Sequence, residues 1–226
     1  MVTIRLSVAG VTLGRMTDDR DHGDDRGDGV DWDAGAASFD DEPDHGLRDP
    51  GVRRAWADRL RAWLPGHPCD LLDAGCGTGS LSLLAAERGH RVTGVDSSPA
   101  MIARARTKCA GTEAEFVLGD AAGPPVGERR FDVLLARHVL WTLPRPERVL
   151  RTWRDLLRPG DGTRTSRFVL VEGVWGDIAP VGVPARRLAA LLEPLATDVR
   201  VEPLSAEREL WGRTVTDERY AVIATL

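Results

Sequence analysis

Leu71-Leu72-Asp73-Ala74-Gly75-Cys76-Gly77-Thr78-Gly79 decides the fold: an apolar strand runs into an acid and then into three glycines on alternate positions. Glycines at a strand-to-helix turn let the backbone approach a ligand where any Cβ would clash, and the following helix offers unpaired N–H groups. This is the pattern of a loop for a nucleotide-containing cofactor, and its spacing separates the candidates. A dinucleotide fold wants G-x-G-x-x-G, whereas the sixth position from Gly75 is Ser80 and the chain reads G-x-G-x-G. An anion at Asp73, just before the first glycine, repels a pyrophosphate but suits the ammonium and sulfonium of S-adenosylmethionine (SAM).

About twenty residues on, the second strand of such a fold ends in a carboxylate that accepts the ribose hydroxyls. Arg91-Val92-Thr93-Gly94-Val95-Asp96 is an alternating run closing on Asp96. Ser97-Ser98-Pro99-Ala100-Met101 starts a helix, with Ser97 or Ser98 as cap and Pro99 in the first turn. A third strand over Ala114 to Leu118 ends in Gly119-Asp120-Ala121, and a fourth over Arg130 to Leu135 ends in Ala136-Arg137-His138. All four ends are expected on one rim.

Taken in order, Asp73-x-Gly75-x-Gly77-x-Gly79, Val95-Asp96, Gly119-Asp120-Ala121 and the Phe131-Asp132-Val133 strand resemble the successive motifs of class I SAM-dependent methyltransferases, over about residues 45 to 226. The resemblance implies an α/β fold: a Rossmann-like seven-stranded, mostly parallel sheet with an antiparallel C-terminal strand, helices on both faces and a short helical N-terminal cap. It implies SAM as cofactor, S-adenosylhomocysteine as product and no metal. It further implies that Gly75 to Gly79, with Asp73 and Cys76, cradle methionine and ribose, and that Asp96 holds the ribose hydroxyls beside Ser97 and Met101. Asp120 would contact the adenine amino group, Ala121 its edge, and Arg137 the cofactor from the fourth strand. Within the family the likeness is to small stand-alone bacterial enzymes acting on small molecules. Their cap resembles Trp32 to Leu47, and their tail resembles Leu210-Trp211-Gly212 and Asp217-Glu218-Arg219-Tyr220.

The 226 residues suit one domain with a sizeable core. Net charge is −5, yet residues 1–46 hold 12 acids against 4 arginines, so the remainder is slightly basic. No concentrated basic face marks nucleic-acid binding. Three cysteines, Cys69, Cys76 and Cys109, are odd in number and not at metal-ligand intervals, which points to a reducing, cytoplasmic location. Cys76 reads as a small side chain that fits the turn. Lys108, the single lysine, reads as a by-product of an arginine-rich composition. No apolar run reaches membrane-spanning length, and Met1 to Gly14 lacks the cleavage site of a signal peptide. Residues 17–31 are nearly free of apolar side chains and are expected to be a disordered acidic extension, 1–31, ahead of a methyltransferase domain at 32–226. That domain divides into cap and helix, 32–64, and cofactor core, 69–226.

Val52, Trp56, Leu60, Trp63 and Leu64 fall on one face of a helix ended by Pro65-Gly66. Later helices are expected over 148–157 and 184–196, and strands over 168–173, 199–201 and 220–224, the last two as an antiparallel hairpin. The connection from Trp175 to Pro184 leaves no room for an inserted substrate domain, and Asp161 to Ser166 reads as a mobile loop.

Methyl transfer from a sulfonium is an in-line displacement that gains mainly from alignment, with a base added when the nucleophile is a hydroxyl. His138 after the fourth strand and His45 in the cap are the candidate bases, against packing roles. Phe39, Arg137 and Trp141 are candidate acceptor contacts; Arg137 alternatively pairs with a cap acid such as Asp44, and Trp141 alternatively lines the core. The expected partner is a small-molecule acceptor with an O, N or C nucleophile, natural products included, with no nucleic acid or membrane, in a monomer or homodimer. Two alternatives stand beside this: a SAM-binding protein with non-methylating catalysis or a scaffold role, and a nicotinamide-dependent oxidoreductase. The second is disfavoured by the missing sixth-position glycine and by the lack of a Tyr-x-x-x-Lys pair, since Tyr220 is the only tyrosine.

Overall fold

The computed structural model describes residues 31–160, 165–176 and 180–226, with the short strands β1 (Ser7–Val8) and β2 (Val11–Thr12), which pair antiparallel. Most of the expected acidic extension, and Asp161 to Arg164 of the expected loop, lie outside the described residues.

The main strands are β3 (Asp70–Ala74), β4 (Arg91–Asp96), β5 (Glu115–Leu118), β6 (Val133–Arg137), β7 (Arg167–Trp175), β8 (Val181–Gly182), β9 (Asp198–Pro203) and β10 (Glu218–Thr225). They order as β5-β4-β3-β6-β7-β10-β9. The first five run parallel, and β10 is antiparallel to both neighbours. Those seven are the expected strands. The two-residue β8, paired antiparallel with β7, is additional.

The helices are α1 (Trp32–Gly35), α2 (Pro43–Gly46), α3 (Pro50–Trp63), α4 (Ser80–Glu87), α5 (Pro99–Lys108), α6 (Pro146–Leu156), α7 (Ala185–Leu192) and α8 (Arg208–Trp211). Ser98, rather than Ser97, caps α5, its hydroxyl accepting the Met101 N–H at 3.0 Å. Pro99 occupies the first turn, where its missing N–H costs nothing.

Alternation along the strands sorts the core into two layers. Leu71, Val133, Leu135, Val169 and Val171 face the α3 stripe of Val52, Trp56, Leu60 and Trp63. Leu72, Leu134, Phe168 and Leu170 face Val149, Leu150 and Trp153 of α6 and Leu188 and Leu192 of α7. Burial on both faces explains why these strands read as near-continuous apolar runs. Four buried indoles find acceptors: Trp56 donates to the Leu210 carbonyl at 2.8 Å, Trp63 to Glu202 Oε2 at 2.8 Å, Trp153 to the Ala121 carbonyl at 2.7 Å and Trp211 to that of Leu204 at 2.9 Å. Trp56 and Trp211 meet edge to face at 5.5 Å, locking the C-terminal segment against α3.

Candidate cofactor and acceptor site

The carboxyl ends of β3, β4, β5 and β6 share one rim, as the parallel topology requires. After β3 the chain turns back, and the N–H groups of Gly75 and Cys76 donate to the Val95 carbonyl at 2.8 and 3.0 Å. Gly75 has φ +71°, and a Cβ there would lie 2.3 Å from Cγ2 of Val139, so only glycine fits. The Gly77 N–H donates to Asp96 Oδ2 at 2.8 Å and the Ser98 N–H to Oδ1 at 2.9 Å. Each Asp96 oxygen thereby keeps acceptor capacity toward the cleft. Burial raises the Asp96 pKa.

A cleft opens over this rim. One end is lined by Gly75, Gly77, Asp96, Ser97 and Met101 with Asp120 and Ala121; the other by Arg137, His138, Val139, Trp141 and Leu143, under a roof of Trp32, Phe39 and His45. Three residues expected to contact cofactor do not line it. Asp73 is buried with its carboxylate accepting the Ser82 hydroxyl at 2.6 Å, and burial raises its pKa to about 6. Gly79, at φ +80°, makes room for Ala105 of α5. Cys76 packs with Ile102 and Phe116, and burial pushes its thiol well above the usual range, which makes it inert, as its reading as a space-filler requires.

The cap is tied down by contacts the sequence did not announce. Asp33 of α1 accepts the Ala100 N–H at 3.0 Å and the Ser98 hydroxyl. Lys108 donates to Asp40 Oδ1 at 2.9 Å and to the hydroxyl oxygens of Thr78 and Ser80, each at 2.7 Å. A compact ammonium with three donors matches three converging oxygens, which a planar guanidinium would not. The lone lysine therefore joins cap, glycine loop and α5, and is no accident of composition. Its singularity was the available signal.

Phe39 stacks on His45 with centroids 4.3 Å apart. Burial lowers the His45 pKa to about 4, despite Asp44 Oδ2 at 3.6 Å. His138 takes a left-handed conformation, φ 56°, with its ring edge-on to Trp175 at 5.0 Å. Burial, reinforced by Arg137, drives its pKa well below the ordinary value. Arg137 lies over the Trp56 ring at 5.1 Å and donates to the backbone carbonyl of Asp44, so it meets the expected cap residue through the main chain and not the carboxylate. Both imidazoles are thus neutral near pH 7, and protonating either places a buried cation beside Arg137. Asp44, His45 and His138 bring one ligand-type atom each within 4.8 Å of one another, but the same guanidinium opposes a dication there.

Residues 72–161 match a family model described as a methyltransferase domain. The chain belongs to the class I SAM-dependent methyltransferases. The chain is 34% identical over 172 residues to the trans-aconitate 2-methyltransferase of Methylobacterium radiotolerans, covering 69% of this chain and 64% of the relative. It is 35% identical over 111 residues to the malonyl-[acyl-carrier protein] O-methyltransferase of Serratia marcescens, covering 48% and 42%. The chain thus spans less than two thirds of the length of these relatives. Among solved structures, the 1,6-didemethyltoxoflavin-N1-methyltransferase of Burkholderia thailandensis superposes with TM-score 0.60 at 23% identity, over 86% of each chain. Among the described residues no helix is long and apolar enough to cross a membrane.

Proposed function

We propose that this methyltransferase binds SAM along the rim from Asp120 to Gly75 and transfers its methyl group to a small unsaturated or aromatic metabolite held under the cap. The observation that carries this is the continuous cleft. Its nucleoside end has Asp96 and Asp120 at strand ends, Phe39 lies over Gly77 of the glycine loop, and its far end has Trp141 and Leu143 as apolar walls beside His138.

The depressed pKa values of His45 and His138 add a chemical restriction. A useful general base titrates near the working pH. Burial lowers both imidazoles away from that range, so we place the nucleophile among groups that carry a free lone pair at neutral pH: carboxylates, aromatic amines and ring nitrogens ahead of aliphatic alcohols. The names of similar proteins, a trans-aconitate 2-methyltransferase and a malonyl-[acyl-carrier protein] O-methyltransferase, support the carboxylate part of that range. Catalysis then rests on alignment. The test is release of S-adenosylhomocysteine from SAM with acceptors of one scaffold that differ only in nucleophile. Aromatic-amine, carboxylate or ring-nitrogen members should turn over, and a preference for the aliphatic alcohol would overturn the restriction. SAM binding without methyl transfer to any member of a broad acceptor set would favour the non-methylating alternative.

A further inference from the structure

Glu172 sits in the middle of β7 with no exposed surface, inside an otherwise apolar layer. Burying a carboxyl is costly, and an apolar residue would serve the core better. The sheet does not need it. Tyr220, its cross-strand neighbour on β10, already donates its hydroxyl to the Val183 carbonyl at 2.6 Å.

Its hydrogen bonds run to the cleft. At the end of β6 the chain leaves the sheet through the left-handed His138 and enters a single helical turn, Leu140–Thr142. The His138 N–H still closes the β6–β7 ladder, but the departure leaves those of Val139 and Leu140 without strand partners, and β7 captures these as well. The His138 N–H donates to the Val171 carbonyl at 2.9 Å. Those of Val139 and Leu140 donate to Glu172 Oε1 at 2.9 and 2.7 Å. Held there, Val139 presses on Gly75, and Trp141, whose indole donates to the His138 carbonyl at 3.0 Å, faces the cleft.

We propose that Glu172 is the positioning residue of the cleft, its carboxyl clamping residues 138–143 against the glycine loop so that the walls of the cofactor and acceptor site stand in register. This rests on the reading of the cleft as a SAM site. Neither the family match nor the names of similar proteins assign the residue a role. It touches no ligand-facing space itself and acts through the segment it holds.

The probe is S-adenosylhomocysteine, measured by calorimetry on the full chain, with melting temperature and amide exchange of residues 138–143 read in parallel. Glu172→Gln keeps a side-chain oxygen for both N–H groups, and its affinity should stay near wild type. Glu172→Leu strands two buried donors, so affinity should fall about tenfold or more, with faster exchange confined to that segment. If the leucine variant does not melt cooperatively, Glu172→Asp, one methylene too short to reach both donors, takes its place with the same expectation. Wild-type affinity in the leucine or aspartate variant, or a glutamine variant as weak as either, overturns the proposal. No binding to the wild-type protein would instead overturn the SAM reading.

Discussion

Replacing Lys108 by methionine tests how the cap is held. The substitution keeps the length of the aliphatic stem and removes the ammonium that joins Asp40, Thr78 and Ser80. Asp40 is 8% exposed and would be left with the Thr78 hydroxyl at 2.5 Å as its remaining side-chain partner. Burial pushes the Asp40 carboxyl up, but hydrogen bonds from Thr78 and Lys108 and the ammonium charge outweigh it, and it titrates below the ordinary value. Removing one member of a buried pair costs about 3–5 kcal/mol. Burial also lowers the Lys108 pKa, so the ammonium itself is held at a cost, and its side chain is 19% exposed. The expected loss is therefore nearer 2 kcal/mol, or about 4–8 °C in melting temperature for a domain of this size. Because the bridge spans cap and glycine loop, SAM affinity by calorimetry should fall as well. Asp40→Asn combined with Lys108→Met removes both charges and should recover much of the stability. A single variant that melts and binds like wild type, or a double variant no better than the single, would refute the reasoning.

Asp96→Ala should weaken SAM binding by about 1.5–3 kcal/mol, the scale for hydrogen bonds to a charged group, and unchanged calorimetric affinity would remove Asp96 from the ribose role. Gly75→Ala combines a left-handed backbone with a 2.3 Å approach to Val139, so SAM binding should be lost and the melting temperature lowered; a wild-type response would mean that Val139 yields freely. Glu172 has its pKa raised from 4.5 to about 8 by burial, so it keeps in the fold a proton that the unfolded chain releases. Its contribution to stability is full below pH 4.5, declines as pH rises to about 8 and is flat above, reaching about 3 kcal/mol of loss by pH 7. Denaturant titrations should show Glu172→Gln lacking that decline, and parallel pH profiles would contradict it. His45→Ala and His138→Ala should each lower turnover with the true acceptor while leaving SAM affinity near wild type, and unaltered turnover would return both to packing roles.

The sheet was legible because its information is local. Strand ends, glycine spacing and two-sided apolar runs such as Phe168 to Val171 each lie within a few consecutive residues, and parallel topology does the rest of the assembly. One end of the cleft was legible for the same reason: Gly75, Gly77, Asp96, Ser97, Asp120 and Ala121 lie just past or at strand ends, and Met101 in the first turn of the helix after β4. What stayed hidden depends on contacts distant in sequence. Asp40 and Lys108 are 68 residues apart, and Glu172 lies 33 residues beyond Val139. Glu172 falls inside the expected 168–173 strand, where period-two alternation does not distinguish a solvent-facing acid from one buried against a neighbouring loop. Asp73 is a further case: its place in the motif is local, but its carboxylate is buried and accepts the hydroxyl of Ser82 in the first turn of α4, a contact the motif does not announce.

The two histidines connect these points to chemistry. A base at the acceptor end would need an imidazolium stabilised as it forms; burial opposes this at both rings, Arg137 adds to it, and among the described residues only His45 has a carboxylate, that of Asp44, to offset it. The same burial leaves polar atoms of both rings without partners, at His45 Nδ1 and His138 Nε2. A buried neutral ring nitrogen costs least when a ligand supplies its hydrogen bond, and a neutral imidazole can donate or accept according to its tautomer. On the proposed reading, the site is better built to orient a nucleophile than to deprotonate one. Glu172 fixes the segment that carries His138, and the Lys108 bridge and the Phe39 stack fix the cap that carries His45. In an in-line displacement, rate follows from the alignment those constraints preserve.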